Sequence, residues 1–223
     1  MRCSIDRRAR ASCCKWILAW SIAGLLFVAA PEAYADESQA GKVVAIEEDW
    51  ELVVKEPDQE TQAPQVTCII APTTSDNGVF AAFNLNHKSF PQYEAGGLHL
   101  QLWNDGTPLA SAKFPSDQLL KTPNEVVTWT TRMSLLDGQL TFEIVSGSSE
   151  TWGDFGDTGN LKAAVATELE DLNQYESAYS AANSGVGFAG NRVTSLKLKA
   201  LRKLLLSGDV IEDNNARTVH PHN

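Results

Sequence analysis

The chain alternates between apolar and polar positions. Over residues 79–86, Val79, Ala81, Phe83 and Leu85 fall on one side of an extended backbone, and Phe80, Ala82, Asn84 and Asn86 on the other. Residues 97–103 repeat the pattern more cleanly, with Leu98, Leu100 and Leu102 against His99, Gln101 and Trp103. A period of two marks a half-buried strand, because successive side chains point to opposite faces of a sheet. Asn104-Asp105-Gly106 then supplies a turn, and residues 109–114 return as a strand. Residues 125–153 give the strongest case. Asp137-Gly138 is a two-residue hairpin turn, since glycine accepts positive φ and aspartate tolerates it. Pairing across that turn sets Leu135 opposite Leu140, Met133 opposite Phe142 and Thr131 opposite Ile144. On the other face Arg132 meets Glu143 and Ser134 meets Thr141. One apolar face and one face with a cross-strand charge pair suit a half-buried antiparallel sheet.

The remaining segments fill in the same class. Residues 42–46 and 50–55 read as two short strands, with Trp50, Leu52 and Val54 on one face and the acidic residues from Glu47 to Glu51 as solvated flanks. Residues 66–70 form another strand, between turn clusters at 56–64 and 72–78. In residues 161–172, Leu161, Val165, Leu169 and Leu172 have helical spacing in an Ala- and Glu-rich run. Strands on both sides instead predict a strand over 161–167. The last strand covers residues 193–201, with Thr194, Leu196, Leu198 and Ala200 on one face, and residues 204–206 extend it. Residues 207–223 read as a polar, mobile tail. Many short strands separated by turns predict an all-β, antiparallel sandwich. No internal repeat points to a propeller or solenoid.

The N-terminus changes the picture of where the protein works. Arg2, Arg7, Arg8, Arg10 and Lys15 form a basic start, and residues 17–30 are apolar but too short to span a bilayer comfortably. Ala33-Tyr34-Ala35 is a small-x-small cleavage signature, so residues 1–35 read as a signal peptide. The expectation is a secreted or periplasmic protein with no integral membrane segment after cleavage, organised as one domain over 36–206 plus the tail. Cys13 and Cys14 precede the apolar run, which is the wrong side for a lipoprotein site.

Charge then narrows the partners. The chain has 18 Lys and Arg against 28 Asp and Glu, a formal charge of −10. The leader carries five basic and two acidic residues, so its removal leaves −13. An acidic protein repels polyanions, so nucleic acid is not an expected partner. Cys68 is then the one remaining cysteine and makes no internal disulfide; its apolar neighbours predict a buried residue.

Gly185-Val186-Gly187-Phe188-Ala189-Gly190 matches G-x-G-x-x-G, but a dinucleotide loop must follow a strand and open a helix. A strand-like run follows here, so the glycines read as a bend into the final strand. That entry and the alternating run after it resemble the closing strand of concanavalin A-like jelly rolls, a superfamily of lectins, glucanases and laminin-G-like domains. Residues 96–103 and the hairpin ending at Ser149-Glu150-Thr151-Trp152-Gly153 are similar to that superfamily's middle strands. The resemblance implies a jelly-roll sandwich and either glycan binding or glycan hydrolysis. Its laminarinase-like branch carries E-x-D-x-x-E on one strand. Glu47-Glu48-Asp49-Trp50-Glu51-Leu52 fails that pattern at the last position, and Glu168 to Asn173 fails it twice.

Two groups of residues are candidates for chemistry. His99, Gln101 and Trp103 share the polar side of one strand, joined by Asn84 and Asn86 if the neighbouring strand pairs with it. Aromatic rings stack on sugar rings while amides and imidazoles bond hydroxyls, so this set predicts a polysaccharide or glycan surface; an ordinary outer sheet face is the plain alternative. Asp154, Asp157 and Asn160 offer oxygen ligands in a glycine-rich loop and form a candidate calcium site. The spacing is not that of an EF-hand, and turns use the same residues. His87 has no visible metal partner, and His220 and His222 read as solvated residues of the tail. The expected function is a non-catalytic carbohydrate-binding module; the competing classes are a glycan-active enzyme and a structural envelope or protein-interaction domain.

Overall fold

A computed structural model describes residues 39, 41–55, 64–74, 78–85, 97–114, 116, 118, 120 and 122–221. Two antiparallel sheets face each other. The smaller has the order β10-β2-β3-β4-β5, from β2 (Gln65–Ile70), β3 (Val79–Leu85), β4 (Leu98–Asn104), β5 (Thr107–Phe114) and β10 (Gly185–Phe188). The larger is built on β1 (Val43–Val54), β6 (Val126–Leu136), β7 (Gln139–Ser149) and β11 (Val193–Leu205). Its order is β12-β11-β1-β6-β7-β8, with β12 (Val210–Asp213) and β8 (Gly153–Phe155) at the ends. β13 (Arg217–His220) also pairs with β11, and β9 (Lys162–Ala166) with β7. This is the expected all-β antiparallel sandwich, with β1 and β11 side by side inside one sheet.

The alternation predicts which side chains fill the gap between the sheets. Ala81, Phe83 and Leu85 of β3 and Leu98, Leu100 and Leu102 of β4 are buried from one side, and Trp50, Leu52, Trp129, Met133 and Phe142 from the other. The rings of Trp50 and Trp129 lie parallel, 6.2 Å apart, and Phe83 tilts against Trp129 at 5.7 Å. Offset aromatic contacts of this kind add to the burial that holds the two sheets together. Cys68 is buried in the same core, as its neighbours predict.

The hairpin of β6 and β7 has the expected register throughout: Leu135 with Leu140, Met133 with Phe142, Thr131 with Ile144, Arg132 with Glu143 and Ser134 with Thr141. Its turn has φ +49° at Asp137 and +71° at Gly138, values that match the twist of antiparallel strands. Residues 161–167 do contain a strand, β9. The glycine-bearing segment at 185–190 is partly strand as well. β10 pairs with β2, and a short 3-10 turn over Gly190–Arg192 then carries the chain across to β11 in the other sheet.

Four expectations need correction. The two short strands at 42–46 and 50–55 are one continuous strand, β1. The acidic run inside it is not a solvated flank: Glu48 is 1% exposed and faces the core, and Glu47 is buried against arginines. The final strand does not keep one face through Ala200. A β-bulge at Lys199 shifts the phase, so Leu196, Leu198 and Leu201 face inward and Ala200 pairs beside Asp49 on the outer face. Residues 207–221 are not the mobile tail expected of 207–223, whose last two residues lie outside the described ones. β12 and β13 hydrogen-bond along β11, Val219 is buried, and His220 Nε2 lies 3.1 Å from the Gly190 carbonyl oxygen. A polar composition hid these strands because an edge strand buries only some of its residues. A helix, α1 (Ser177–Asn183), packs against β2 and was not foreseen.

Candidate functional site

On the outer face of the larger sheet, β1 presents Glu47, Asp49 and Glu51, each two residues from the next and so on one side of the strand. Cross-strand pairing surrounds them with partners. Across the sheet at Glu47 the charges alternate: Glu212, Arg202, Glu47, Arg132, Glu143 and Lys162, on β12, β11, β1, β6, β7 and β9. Arg202 donates from Nε to Glu47 Oε2 at 2.8 Å and from its two terminal nitrogens to Asp49 at 2.6 and 2.8 Å. Arg132 donates from Nε to the other oxygen of Glu47 at 2.7 Å. Thr130 adds a hydroxyl bond to Asp49 at 2.7 Å. Arg132 and Glu143 are opposite each other as expected, yet Arg132 turns to Glu47 and Glu143 pairs with Lys162 at 3.4 Å.

These contacts fix the ionisation of two carboxylates. Burial alone pushes Glu47 up, but bonds from Arg202 and Arg132 outweigh it and hold its carboxyl below the usual range. Asp49 follows the same course: burial raises it, and Arg202 and Thr130 bring it below its usual value. The bonds to Asp49 in turn raise the Arg202 guanidinium further, against its own burial.

Beyond that charged row lies an open trough of about 560 Å³. Asp49, Glu51, Lys199 and Arg202 line one side of it, and the hydroxyls of Thr128, Thr130, Ser146 and Ser148 the other. Two β-bulges flank it. One lies between β1 and β11 at Asp49/Trp50, the other between β6 and β7 at Thr130/Thr131. A bulge bends its strand and increases local twist, which re-aims side chains on a sheet that otherwise would be evenly pleated. The first turns Arg202 to the outer face, and Lys199 within it reaches over Glu51, with Nζ 3.4 Å from both carboxylate oxygens. At Gly147 the trough floor is thin because a Cβ there would lie 2.1 Å from the Phe155 ring, which fills the space beneath.

A second carboxylate set serves the fold. Glu48 accepts bonds from Trp50 Nε1 at 3.0 Å and from the Tyr175 hydroxyl at 2.5 Å, wholly inside the protein. Burial raises its pKa above the usual range, against the lowering effect of those bonds. Burial and the nearby Glu48 likewise push the Tyr175 hydroxyl and the Cys68 thiol up. Glu125 is fully buried and accepts from the Ser149 hydroxyl at 2.7 Å and from Thr151 N and Oγ1 at 2.8 and 2.6 Å, which ties the start of β6 to the turn after β7.

The residues expected to bind glycan lie on the other sheet. Asn84, His99, Gln101 and Trp103 do share its outer face, with Asn84 opposite His99. Asn84 and His99 are buried, and Gln101 and Trp103 are half-buried. The Asn84 amide accepts from Thr67 at 2.7 Å and donates to Gln101 at 3.1 Å, so these amides bond each other. Asn86, His87 and His222 lie outside the described residues. Asp154, Asp157 and Asn160 are exposed in β8 and the turn after it; Asp154 pairs beside Ser148 at the end of the trough. Among the described residues no group of three or more His, Cys, Asp or Glu side chains is placed to hold a metal ion.

The trough was hidden in the sequence although its signal was present. Alternation of Ile46, Glu48, Trp50 and Leu52 puts Glu47, Asp49 and Glu51 together on the opposite face. The glutamate at an inward position broke the pattern. Arg202 is brought to the outer face by a bulge that no local sequence feature announces.

No family model and no curated protein matches the chain. Among solved structures it is similar to peanut lectin determined with a nine-residue peptide, over 78% of this chain and 70% of that chain, at 13% identity and a TM-score of 0.35.

Proposed function

We propose that this protein is an exported carbohydrate-binding module, acting outside the cytoplasm, whose glycan lies in the trough of the larger sheet. The observation that carries this reading is the trough's lining. Four hydroxyls face two carboxylates and two cations across one open groove. A sugar hydroxyl both donates and accepts, so a polyhydroxylated chain suits a surface that offers both in close array. Asp49 is fixed by Arg202 and Thr130 before any ligand arrives, which lowers the ordering cost of binding. Isothermal titration against a panel of soluble polysaccharides tests the reading. Binding that weakens at least several-fold in a Thr128→Ala/Ser148→Ala double variant is expected; no binding to any member of the panel would reject it.

A second reading, glycan hydrolysis, draws on the shared orientation of Glu47, Asp49 and Glu51. Glycosidases pair an ionised carboxylate with a protonated one. Glu47 and Asp49 are both shifted toward the ionised form, which favours binding over acid catalysis. Release of reducing sugar that disappears in Glu51→Gln would reverse that preference.

A further inference from the structure

We infer that Glu51 is the residue that reads the ligand, and that it reads a vicinal diol of a neutral glycan, with Lys199 as the group displaced on binding. This inference rests on the trough being a glycan site. The three outward carboxylates of β1, two of which line the trough, are not equally held. Glu47 is gripped from both sides by Arg132 and Arg202, and Asp49 by Arg202 and Thr130, through bonds of 2.6 to 2.8 Å. Glu51 has only Lys199, at 3.4 Å to each oxygen, and the Lys199 side chain is 44% exposed. A long ion pair open to water contributes little and is easily exchanged. Replacing the ammonium with two hydroxyls at ordinary hydrogen-bond distance gives Glu51 two charge-assisted bonds, which are about twice as strong as neutral ones.

The geometry points to adjacent hydroxyls. The two oxygens of one carboxylate accept a pair of parallel donors side by side, and neighbouring equatorial hydroxyls of a pyranose offer that pair. Along the same row Glu51 is followed by Thr128 and Ser148 on the next two strands, so the subsite is about 10 Å wide, two strand spacings. That width takes one sugar ring and its linkage. Lys199, once released, stands over the ring as a donor. The ligand is neutral because each trough cation already has a carboxylate partner and the chain's formal charge of −10 opposes an acidic polymer.

The test uses two sets of hexasaccharides and the full chain. Cellohexaose and xylohexaose keep the 2,3-diol on every internal ring; laminarihexaose, linked through position 3, has no vicinal diol on its internal rings; polygalacturonate is the acidic probe. The wild-type protein is expected to bind the 1,4-linked pair at least tenfold more tightly than laminarihexaose and not to bind polygalacturonate. Glu51→Gln, nearly isosteric, should lose at least tenfold in affinity with an unchanged melting temperature, and Trp103→Ala on the other sheet should bind as wild type. Periodate oxidation of the bound oligosaccharide, which cleaves the diol, should abolish binding. Binding that survives both Glu51→Gln and periodate, or that favours laminarihexaose or the acidic polymer, overturns the inference while leaving glycan binding intact. Binding lost in Trp103→Ala but kept in Glu51→Gln moves the site to the smaller sheet, and no binding to any probe removes both proposals.

Discussion

Glu47 and Glu48 are neighbours in sequence and opposites in circumstance. The outward one is charged and held between two arginines; the inward one lies in the core beneath Tyr175 and Trp50. Their titrations therefore act on stability in opposite directions. Glu48 has a folded value raised above 4.5, so its contribution is complete below 4.5 and is lost as pH rises through the raised value. Glu47 and Asp49 have lowered folded values, so theirs is present above 4.5 and 3.8 and is lost as pH falls through the lowered ones. Stability should thus rise on acidification from neutral pH and then collapse. In Glu48→Gln the rise should vanish; a urea midpoint that climbs as much in the variant as in the wild type would refute the assignment. Arg202 is the hinge of the charged row. Arg202→Met leaves Glu47 and Asp49 short of a partner and should cost about 3 kcal/mol in urea unfolding, the scale expected when one member of a largely buried pair is removed. A change under about 0.5 kcal/mol, the level of an ordinary surface site, would show that the row is ornamental to stability.

Elements were legible wherever one face is dry and the other wet. β3, β4 and the β6–β7 hairpin satisfy that condition, and Asp137-Gly138 fixes the register because a two-residue turn leaves no slack. β1 was read as two pieces because Glu48 occupies an inward position, and β11 lost its phase because the bulge at Lys199 adds a residue on one strand only. The functional face depends on those irregularities: without the bulge Arg202 would keep the inward phase of Leu196 and Leu198 and would not reach Glu47 and Asp49. Gly147 shows how closely β7 and β8 are fitted. Its place opposite Trp129 leaves room for the Phe155 ring, which an added methyl would strike. Gly147→Ala should destabilise by about 1–3 kcal/mol through overpacking. Chemical denaturation checks this, and a variant as stable as wild type would mean that Phe155 moves aside freely.

At the scale of the molecule, the chain alternates between sheets and returns at its end to flank β1 with β11, then covers β11 with β12 and β13. Deleting residues 208–223 should expose that edge and remove the buried Val219 from the core. Burying one such side chain is worth about 1.5–3 kcal/mol, and a domain of this size shifts by roughly 2–4 °C for each kcal/mol. The shortened protein should therefore melt about 5 °C lower and show greater aggregation, because an uncovered strand edge is a template for pairing. An unchanged melting temperature would mean that β12 and β13 add nothing to the fold. The all-β class, the hairpin register and most of the core can be read from the residues alone, because each follows from the period-two pattern and a turn a few residues away. The tertiary structure decided the rest. It set which outer face carries the trough, which carboxylate is buried and which is gripped, and which cation faces Glu51. Those depend on strands far apart in sequence meeting edge to edge, and on bulges that shift a strand's phase only once it is paired.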